Sequence, residues 1–220
     1  GAELGTFGQE RDVPLAIAVH PGRGLVALGG ASKHATVLRQ SDGKQLFAGK
    51  HDDFVLCMQF APDGALLAAG DRAGTEQLWE TDGGRSQQGL AIGAGAVHGL
   101  AFAKNGKLLV TALADGTVRG LETATGKELW KRSAHQGPTL AVAFGPEDTI
   151  ASCGEDGRIA VFTRAGKPIV TSNAVGEMLY TVAFGATGDA VFAGDWRGTV
   201  HRLQVKSKQL SQTTPLATGS

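Results

Sequence analysis

The chain has 220 residues, including 33 glycines and 42% apolar residues, and its 21 lysines and arginines balance 21 aspartates and glutamates. A net charge of zero argues against nucleic acid or an anionic membrane as the partner, because proteins that bind those surfaces usually carry a basic excess. No apolar run approaches the roughly 18 residues of a membrane-spanning helix. The segment from Gly1 lacks the pattern of a signal peptide, so the sequence indicates no compartment.

One pattern recurs along the chain: four short strands joined by tight turns, the first of them apolar. Phe60, Phe102, Phe144 and Phe184 each end the first strand of a copy, and Val19 takes this place in the first copy. The spacings between these residues are 41, 42, 42 and 40. Short strands and Asp-Gly turns repeated at about 40 residues predict the blades of a β-propeller.

The repeat predicts five four-stranded blades, at about residues 13–49, 54–92, 97–133, 139–173 and 179–213. Residues 1–8 align with the fourth strands of later copies, so we interpret them as a surplus fourth strand from a preceding blade. We therefore expect the chain to be part of a larger propeller, and residues 214–220 to form a frayed tail.

The turns and third strands of the copies carry a family resemblance. They include FAPDG, FGPED, RAGTEQLWE, ADGTVRGLE and EDGRIAVF, each third strand being followed by a turn with glycine. On these segments nearly the whole chain resembles the WD-repeat β-propellers. On VALGGASK, HDDFVLCMQFAPDG and AVFAGDWRGTV it is most similar to bacterial WD-repeat proteins, which are often attached to a cytochrome-c-like domain. The resemblance implies an all-β propeller that serves as a protein–protein interaction scaffold.

The resemblance also implies a network of histidine, serine, aspartate and tryptophan in each blade. No blade has all four residues, and blade five has none of them, so we expect stability to rest mainly on apolar packing between blades. The candidate network residues are His51 and Trp79 in blade two, Thr111 and Asp115 in blade three, and His135, Ser152 and Asp156 in blade four. Ala69 and Ala73 take the serine and aspartate places in blade two.

The sequence predicts no catalytic residues, cofactor or metal site. The six histidines are not spaced as metal ligands, and Cys57 and Cys153 read as buried reduced thiols. Glycoside hydrolysis needs two facing carboxylates, and the innermost strands contain none. We therefore expect a protein that is not an enzyme. Binding, or hydrolysis, of a small molecule or glycan at the channel mouth is the alternative hypothesis.

The candidate protein-binding residues are bulky side chains in the loops of one predicted face. Trp196 and Arg72 occupy turns in which small polar residues are usual, and Phe54, Met178 and Tyr180 open their blades. Aromatic and arginine side chains are typical of binding hot spots. Phe54 and Tyr180 can equally be read as packing between blades.

The sequence does not identify the protein partner, but it predicts self-association. A piece of a propeller leaves apolar faces open on its terminal blades, and such faces seek partners. We expect blade one to pack against blade five of a neighbouring copy, giving an oligomer.

Overall fold

The computed structural model describes residues 12–91 and 95–213. In this part of the chain it contains twenty β-strands, two short 3-10 turns and no α-helix. The strands form five four-stranded antiparallel sheets, each built from four consecutive strands in chain order. This architecture confirms the predicted all-β fold of four-stranded blades. The predicted surplus strand at residues 1–8 and the predicted tail at residues 214–220 lie outside the described residues.

We call each sheet a blade and number the strands along the chain. Blade one contains β1 Pro14–His20, β2 Leu25–Gly30, β3 His34–Arg39 and β4 Gln45–Lys50. Blade two contains β5 Val55–Phe60, β6 Leu66–Asp71, β7 Thr75–Glu80 and β8 Ser86–Ala91. Blade three contains β9 Val97–Phe102, β10 Leu108–Leu113, β11 Thr117–Glu122 and β12 Glu128–Ser133. Blade four contains β13 Thr139–Phe144, β14 Ile150–Gly154, β15 Ile159–Phe162 and β16 Pro168–Thr171. Blade five contains β17 Leu179–Phe184, β18 Ala190–Asp195, β19 Val200–Gln204 and β20 Gln209–Thr213.

The 3-10 turns, Pro21–Arg23 and Pro146–Asp148, each connect the first strand of a blade to the second. The chain divides into two compact units between residues 97 and 98. Blades one and two belong to the first unit, and blade three from His98 onward belongs with blades four and five to the second.

In blades two to five the turn between the second and third strands contains a glycine with positive φ. In blade three Gly116 has a φ of 81°, and a Cβ atom added there would lie 2.5 Å from the carbonyl oxygen of His135. Any larger residue would therefore be strained in its backbone and would also clash. The Asp115 carboxylate completes the turn by accepting a hydrogen bond from the Thr117 amide at 3.0 Å. The Asp-Gly pair thus fixes where this hairpin of blade three folds back, whereas in blade one Lys33 adopts the positive φ, at 60°.

A bulge interrupts the first strand of four blades at the same place. In β17, Leu179 pairs with Asp195 and Thr181 pairs with Gly194, so Tyr180 is left out of the ladder. The other residues left out in this way are Leu15 in β1, Leu56 in β5 and Leu140 in β13. An equivalent bulge in the fourth strand of three blades leaves out Leu46, Leu129 and Ile169.

In the first unit the core lies between blades one and two. Ala27 and Val37 of blade one pack in one apolar cluster with Met58, Phe60 and Trp79 of blade two. Gly49 in β4 makes room for the Trp79 indole, because a Cβ atom there would lie 2.3 Å from Cε2 of that ring. The tryptophan of β7 thus closes the joint between these two blades.

In the second unit one apolar cluster joins blades four and five, including Cys153 and Ile159 of blade four with Val182 and Leu203 of blade five. Another joins Trp130 of β12 to Ile150 and Phe162 of blade four, and the Trp130 Nε1–H donates to the Arg164 carbonyl oxygen at 3.1 Å. The near-continuous apolar strands of blade four are accounted for by burial on both of its sides, against blade three and against blade five.

Candidate functional site

Blade four brings three predicted network residues together. His135 lies in the loop before β13, Ser152 in β14 and Asp156 in the following turn. The Nδ1 atom of His135 lies 2.8 Å from Oδ1 of Asp156, and Nε2 lies 2.8 Å from Oγ of Ser152. Burial lowers the pKa of His135 more than its hydrogen bond to the Asp156 carboxylate raises it. The neutral imidazole therefore donates from Nδ1 to the carboxylate and accepts the Ser152 hydroxyl at Nε2.

Blade two builds a different version of this network. The Nδ1 atom of His51 lies 3.1 Å from Oδ2 of Asp71, and both side chains are buried. Among the described residues Nε2 of His51 has no hydrogen-bond partner, because Ala69 stands at the position equivalent to Ser152. The ring instead packs edge-on against Trp79, with 5.2 Å between ring centroids.

Sequence reasoning missed Asp71. This residue comes from the end of β6, whereas Asp156 comes from the turn after β14. The register of the first and second strands makes Asp71 equivalent to Gly154, where a Cβ atom would lie 2.9 Å from the His135 ring. The available signal was the Gly-Asp pair that ends the second strand in GDRAG and GDWRG.

Blade five, which has none of the four motif residues, contains a substitute pair. Asp195 at the end of β18 is equivalent to Asp71, and its Oδ2 lies 2.9 Å from Nε2 of His201 in β19. Desolvation opposes ionisation of Asp195, but its hydrogen bonds with His201 and the amides of Thr199 and Arg197 lower its pKa overall. In blade five the histidine that hydrogen-bonds to this aspartate thus comes from the third strand, whereas in blade two it comes from a loop.

Blade three does not join its two predicted network residues. Thr111 is buried, and its hydroxyl has no hydrogen-bond partner among the described residues. Asp115 instead pairs with Lys131 at 3.2 Å and Arg119 at 3.7 Å, in addition to capping its own turn. In blade three, therefore, no histidine links the threonine to the aspartate as His135 links Ser152 to Asp156 in blade four.

These buried histidines predict how stability depends on pH. Burial lowers the pKa of His51, His98 and His135 in the folded chain. Below about pH 6.5 the unfolded chain therefore binds more protons, and the free energy of unfolding falls. We expect the urea midpoint at pH 5.5 to be lower than at pH 7.5, and the difference to be smaller for His98→Gln. A midpoint that is constant or higher at pH 5.5 would contradict this expectation.

Trp196 is the most exposed large apolar residue among those described, with 67% of its surface accessible. It follows β18, and its indole N–H donates to Oε2 of Glu177 at 3.0 Å. The other oxygen of Glu177 pairs with Nη2 of Arg197 at 2.8 Å. The indole is therefore held in place while its faces remain open to solvent.

The pairing of Leu179 with Asp195 puts the residues before Leu179 at the same end of blade five as Trp196. Met178 and Tyr180 are therefore neighbours of this cluster in the blade. The Tyr180 hydroxyl lies 3.9 Å from Sδ of Met178, and the Tyr180 side chain is exposed. The structure thus gathers three of the predicted binding residues at one end of blade five.

Arg72 and Phe54 form a separate cluster in the first unit. Arg72 donates to both oxygens of Asp53, at 2.8 Å and 3.3 Å, and its guanidinium carbon lies 4.4 Å from the centre of the Phe54 ring. The hydrogen bond from Arg72 lowers the pKa of Asp53. Arg72 and Trp196 follow equivalent second strands, and each reaches an acidic residue 19 positions earlier. The Arg72 side chain remains exposed despite these contacts.

Most of the exposed large apolar residues are explained by the bulges, which leave Leu15, Leu46, Leu129, Ile169 and Tyr180 out of their ladders. The exposed ones that the bulges do not explain are Val13, Ile17 and Val19 in blade one and Trp196 in blade five. These residues mark two surfaces that the packing of the blades does not account for.

Over residues 12–91 and 95–213, no group of three or more histidine, cysteine, aspartate or glutamate side chains could hold a metal ion. The same residues include no helix with the length and apolar character needed to cross a membrane. Cys57 and Cys153 are free thiols, and burial raises the pKa of both, that of Cys153 to about 12. Neither thiol is therefore a ready nucleophile.

Comparison with known sequences gives a family match. The model of the family described as WD domain, G-beta repeat matches residues 42–79, 89–119 and 126–163. Telomerase protein component 1 of Mus musculus is 30% identical over 175 residues, which are 77% of this chain and 6% of that protein. WD repeat-containing protein 91 of Danio rerio is 30% identical over 149 residues, 63% of this chain and 20% of that protein. The chain thus spans a fifth or less of the length of these curated relatives.

Among solved structures, the computationally designed Ika8 protein is similar to this chain with a TM-score of 0.86. The match covers 97% of this chain and 65% of the designed one, at 24% sequence identity. At that identity the likeness shows the fold alone.

Proposed function

We propose that the chain is a member of the WD-repeat family and acts as a non-catalytic scaffold that binds another protein. The family match over residues 42–79, 89–119 and 126–163 and the similarity to WD repeat-containing protein 91 support this role. The blades support this role, because they are rigid elements that present short loops, and binding residues are concentrated on such loops.

The observation that carries the proposal is the exposed and fixed indole of Trp196. Burying a tryptophan in a partner removes a large apolar area from water, and tryptophan is enriched among the residues that dominate binding energy. Glu177 and Arg197 hold the ring before a partner arrives. Less ordering entropy is then lost on binding. Met178 and Tyr180 extend the candidate surface at this end of blade five, and Phe54 and Arg72 form a second candidate surface in the first unit.

The proposal is tested by replacing Trp196 with alanine. The melting temperature is expected to stay within a few degrees of the parent value, since the side chain is exposed. Affinity for a protein partner is expected to fall by at least about tenfold, as for a hot-spot residue. Partners captured on immobilised parent and variant chains are identified by mass spectrometry, and their affinities are then measured with purified components.

The matched control is Leu129→Ala, which removes an exposed apolar side chain from a fourth-strand bulge. Capture that is lost with Trp196→Ala and kept with Leu129→Ala supports the assignment. Capture that is equal for both variants would contradict it, and a collapse of stability in Trp196→Ala would show that the indole is part of the core.

We also propose that the chain self-associates through a terminal blade. The exposed Ile17 and Val19 of blade one support this proposal. The closer likeness to bacterial WD-repeat proteins attached to a cytochrome-c-like domain remains a proposal as well, since the relatives named above come from mouse and zebrafish.

A further inference from the structure

We propose that two copies of this chain pair through blade one, each copy covering the same face of the other. This inference rests on the proposed self-association and specifies which surface performs it. We call the side of a blade that is equivalent by register to the side on which Met58 packs against blade one its leading face, and the opposite side its trailing face.

The register of the strands identifies the leading face of blade one. β1 and β5 share the same bulge, so Ile17 is equivalent to Met58 and Val19 to Phe60. Met58 and Phe60 are 9% and 6% exposed because they pack on blade one. Ile17 and Val19 are 66% and 52% exposed. In blade five the equivalent Val182 is also buried, against blade four. Blade one therefore presents to solvent the face that these other blades bury.

The leading face of blade one can meet an identical copy of itself. Its second-strand and third-strand positions are apolar or neutral, so the central parts of two such faces approach without repulsion between like charges. The register places one charged residue, Lys50 at the end of β4, on the margin of this face. The apolar part gains from burial against another apolar surface. The six positions assigned by register are Ile17 and Val19 in β1, Val26 and Leu28 in β2, and Thr36 and Leu38 in β3.

The trailing face of blade five is a poor counterpart. At the central position of the third strand the trailing side chain is apolar or glycine in the first four blades: Val37, Leu78, Gly120 and Val161. Blade five has Arg202 there, exposed and hydrogen-bonded to Gln204 at 2.8 Å. On the fourth strand Ser211 pairs with Arg202 at the position where Phe47 pairs with Val37. A blade packed on this surface would have to desolvate a guanidinium, which is costly.

Arg202 and Ser211 also line a polar cleft with Gln204, Lys208 and Gln209. The trailing face of blade five thus has the polar character of a terminal repeat that caps an array. The surface that best matches the apolar leading face of blade one is therefore the same face of a second copy. This pairing is isologous, which gives a closed two-fold dimer and not a ring or an open chain.

Charged variants of the leading face test this inference. The unsubstituted chain is expected to shift from the mass of one 22.6 kDa chain to that of two as its concentration rises, measured by size exclusion with light scattering. A variant with Ile17→Lys and Val19→Lys is expected to remain monomeric, and so is a variant with Ile17→Glu and Val19→Glu. Leu129→Lys, at an equally exposed position in blade three, is the control that still dimerises.

Mixing the two charged variants decides which faces meet. If blade one pairs with blade one, the lysine and glutamate faces attract each other, and a mixed dimer forms that salt weakens. If the unsubstituted chain associates but the mixture stays monomeric, or either charged variant still associates alone, the pairing of blade-one faces is wrong while self-association stands. If the unsubstituted chain is monomeric at every concentration, both proposals are wrong.

Discussion

Replacing Trp79 with alanine is expected to lower the free energy of unfolding by about 3–5 kcal/mol, the usual cost of removing a buried tryptophan side chain. The indole is 2% exposed and lies in the joint between blades one and two. Its removal leaves a cavity beside Gly49, where the backbone carries no side chain that could move in. It also removes the ring that packs against His51.

Equilibrium unfolding in urea, followed by circular dichroism, measures this loss. Trp196→Ala is the matched control, because it deletes the same side chain from an exposed position and is expected to change the free energy of unfolding by less than about 0.5 kcal/mol. Trp79→Phe should give a value between those of the two alanine variants. A loss below about 1 kcal/mol in Trp79→Ala would show that the joint does not depend on this ring.

Replacing His135 with alanine is expected to destabilise the chain by about 1–3 kcal/mol, because buried polar groups then lose their hydrogen-bond partner. The imidazole links Ser152 in β14 to Asp156 in the next turn, at 2.8 Å in each case. Water does not readily replace it, since Ser152 is fully buried. The Asp156 carboxylate keeps its hydrogen bonds from the Gln136 and Arg158 amides, which limits the loss.

His98→Ala is the control for this second expectation. His98 is half-buried and forms no hydrogen bond with another described residue, so its removal is expected to cost less than that of His135. Equal urea midpoints for the two variants would contradict the network role of His135.

The repeat made the fold predictable from the sequence. The phenylalanine at the end of the first strand and the glycine in most of the hairpins recur at nearly constant spacing, and both have physical causes. Phe60 fills the joint between blades one and two, and a residue such as Gly116 must adopt a positive φ. Signals of this kind are contained within one copy, so they can be read without knowing how the chain packs.

The carboxylates of the networks were harder to predict, because what matters is distance in space and not position in a motif. Asp71 and Asp195 lie two residues beyond the strand positions at which the family motif has serine, yet their side chains reach a buried histidine. In blade five that histidine comes from the third strand. A motif compared position by position detects neither pair.

The exposure of the candidate binding residues was also beyond the sequence. Trp196 and Arg72 occupy equivalent turns and both side chains are exposed, but the indole donates to Glu177 whereas the guanidinium pairs with Asp53 and lies over the Phe54 ring. Leu129 and Tyr180 are exposed because bulges leave them out of their ladders, and bulges depend on pairing across strands. Whether the predicted residues bind a partner remains to be measured.

The bulge in the first strands also affects how these copies can diverge. The residue that it leaves out, Tyr180 in blade five and Leu56 in blade two, forms no pair in the ladder with the second strand. A substitution there can alter size or polarity without shifting the pairs on either side. Each such blade thus contains one position at which new side-chain chemistry can be acquired while the alignment of its strands is inherited unchanged.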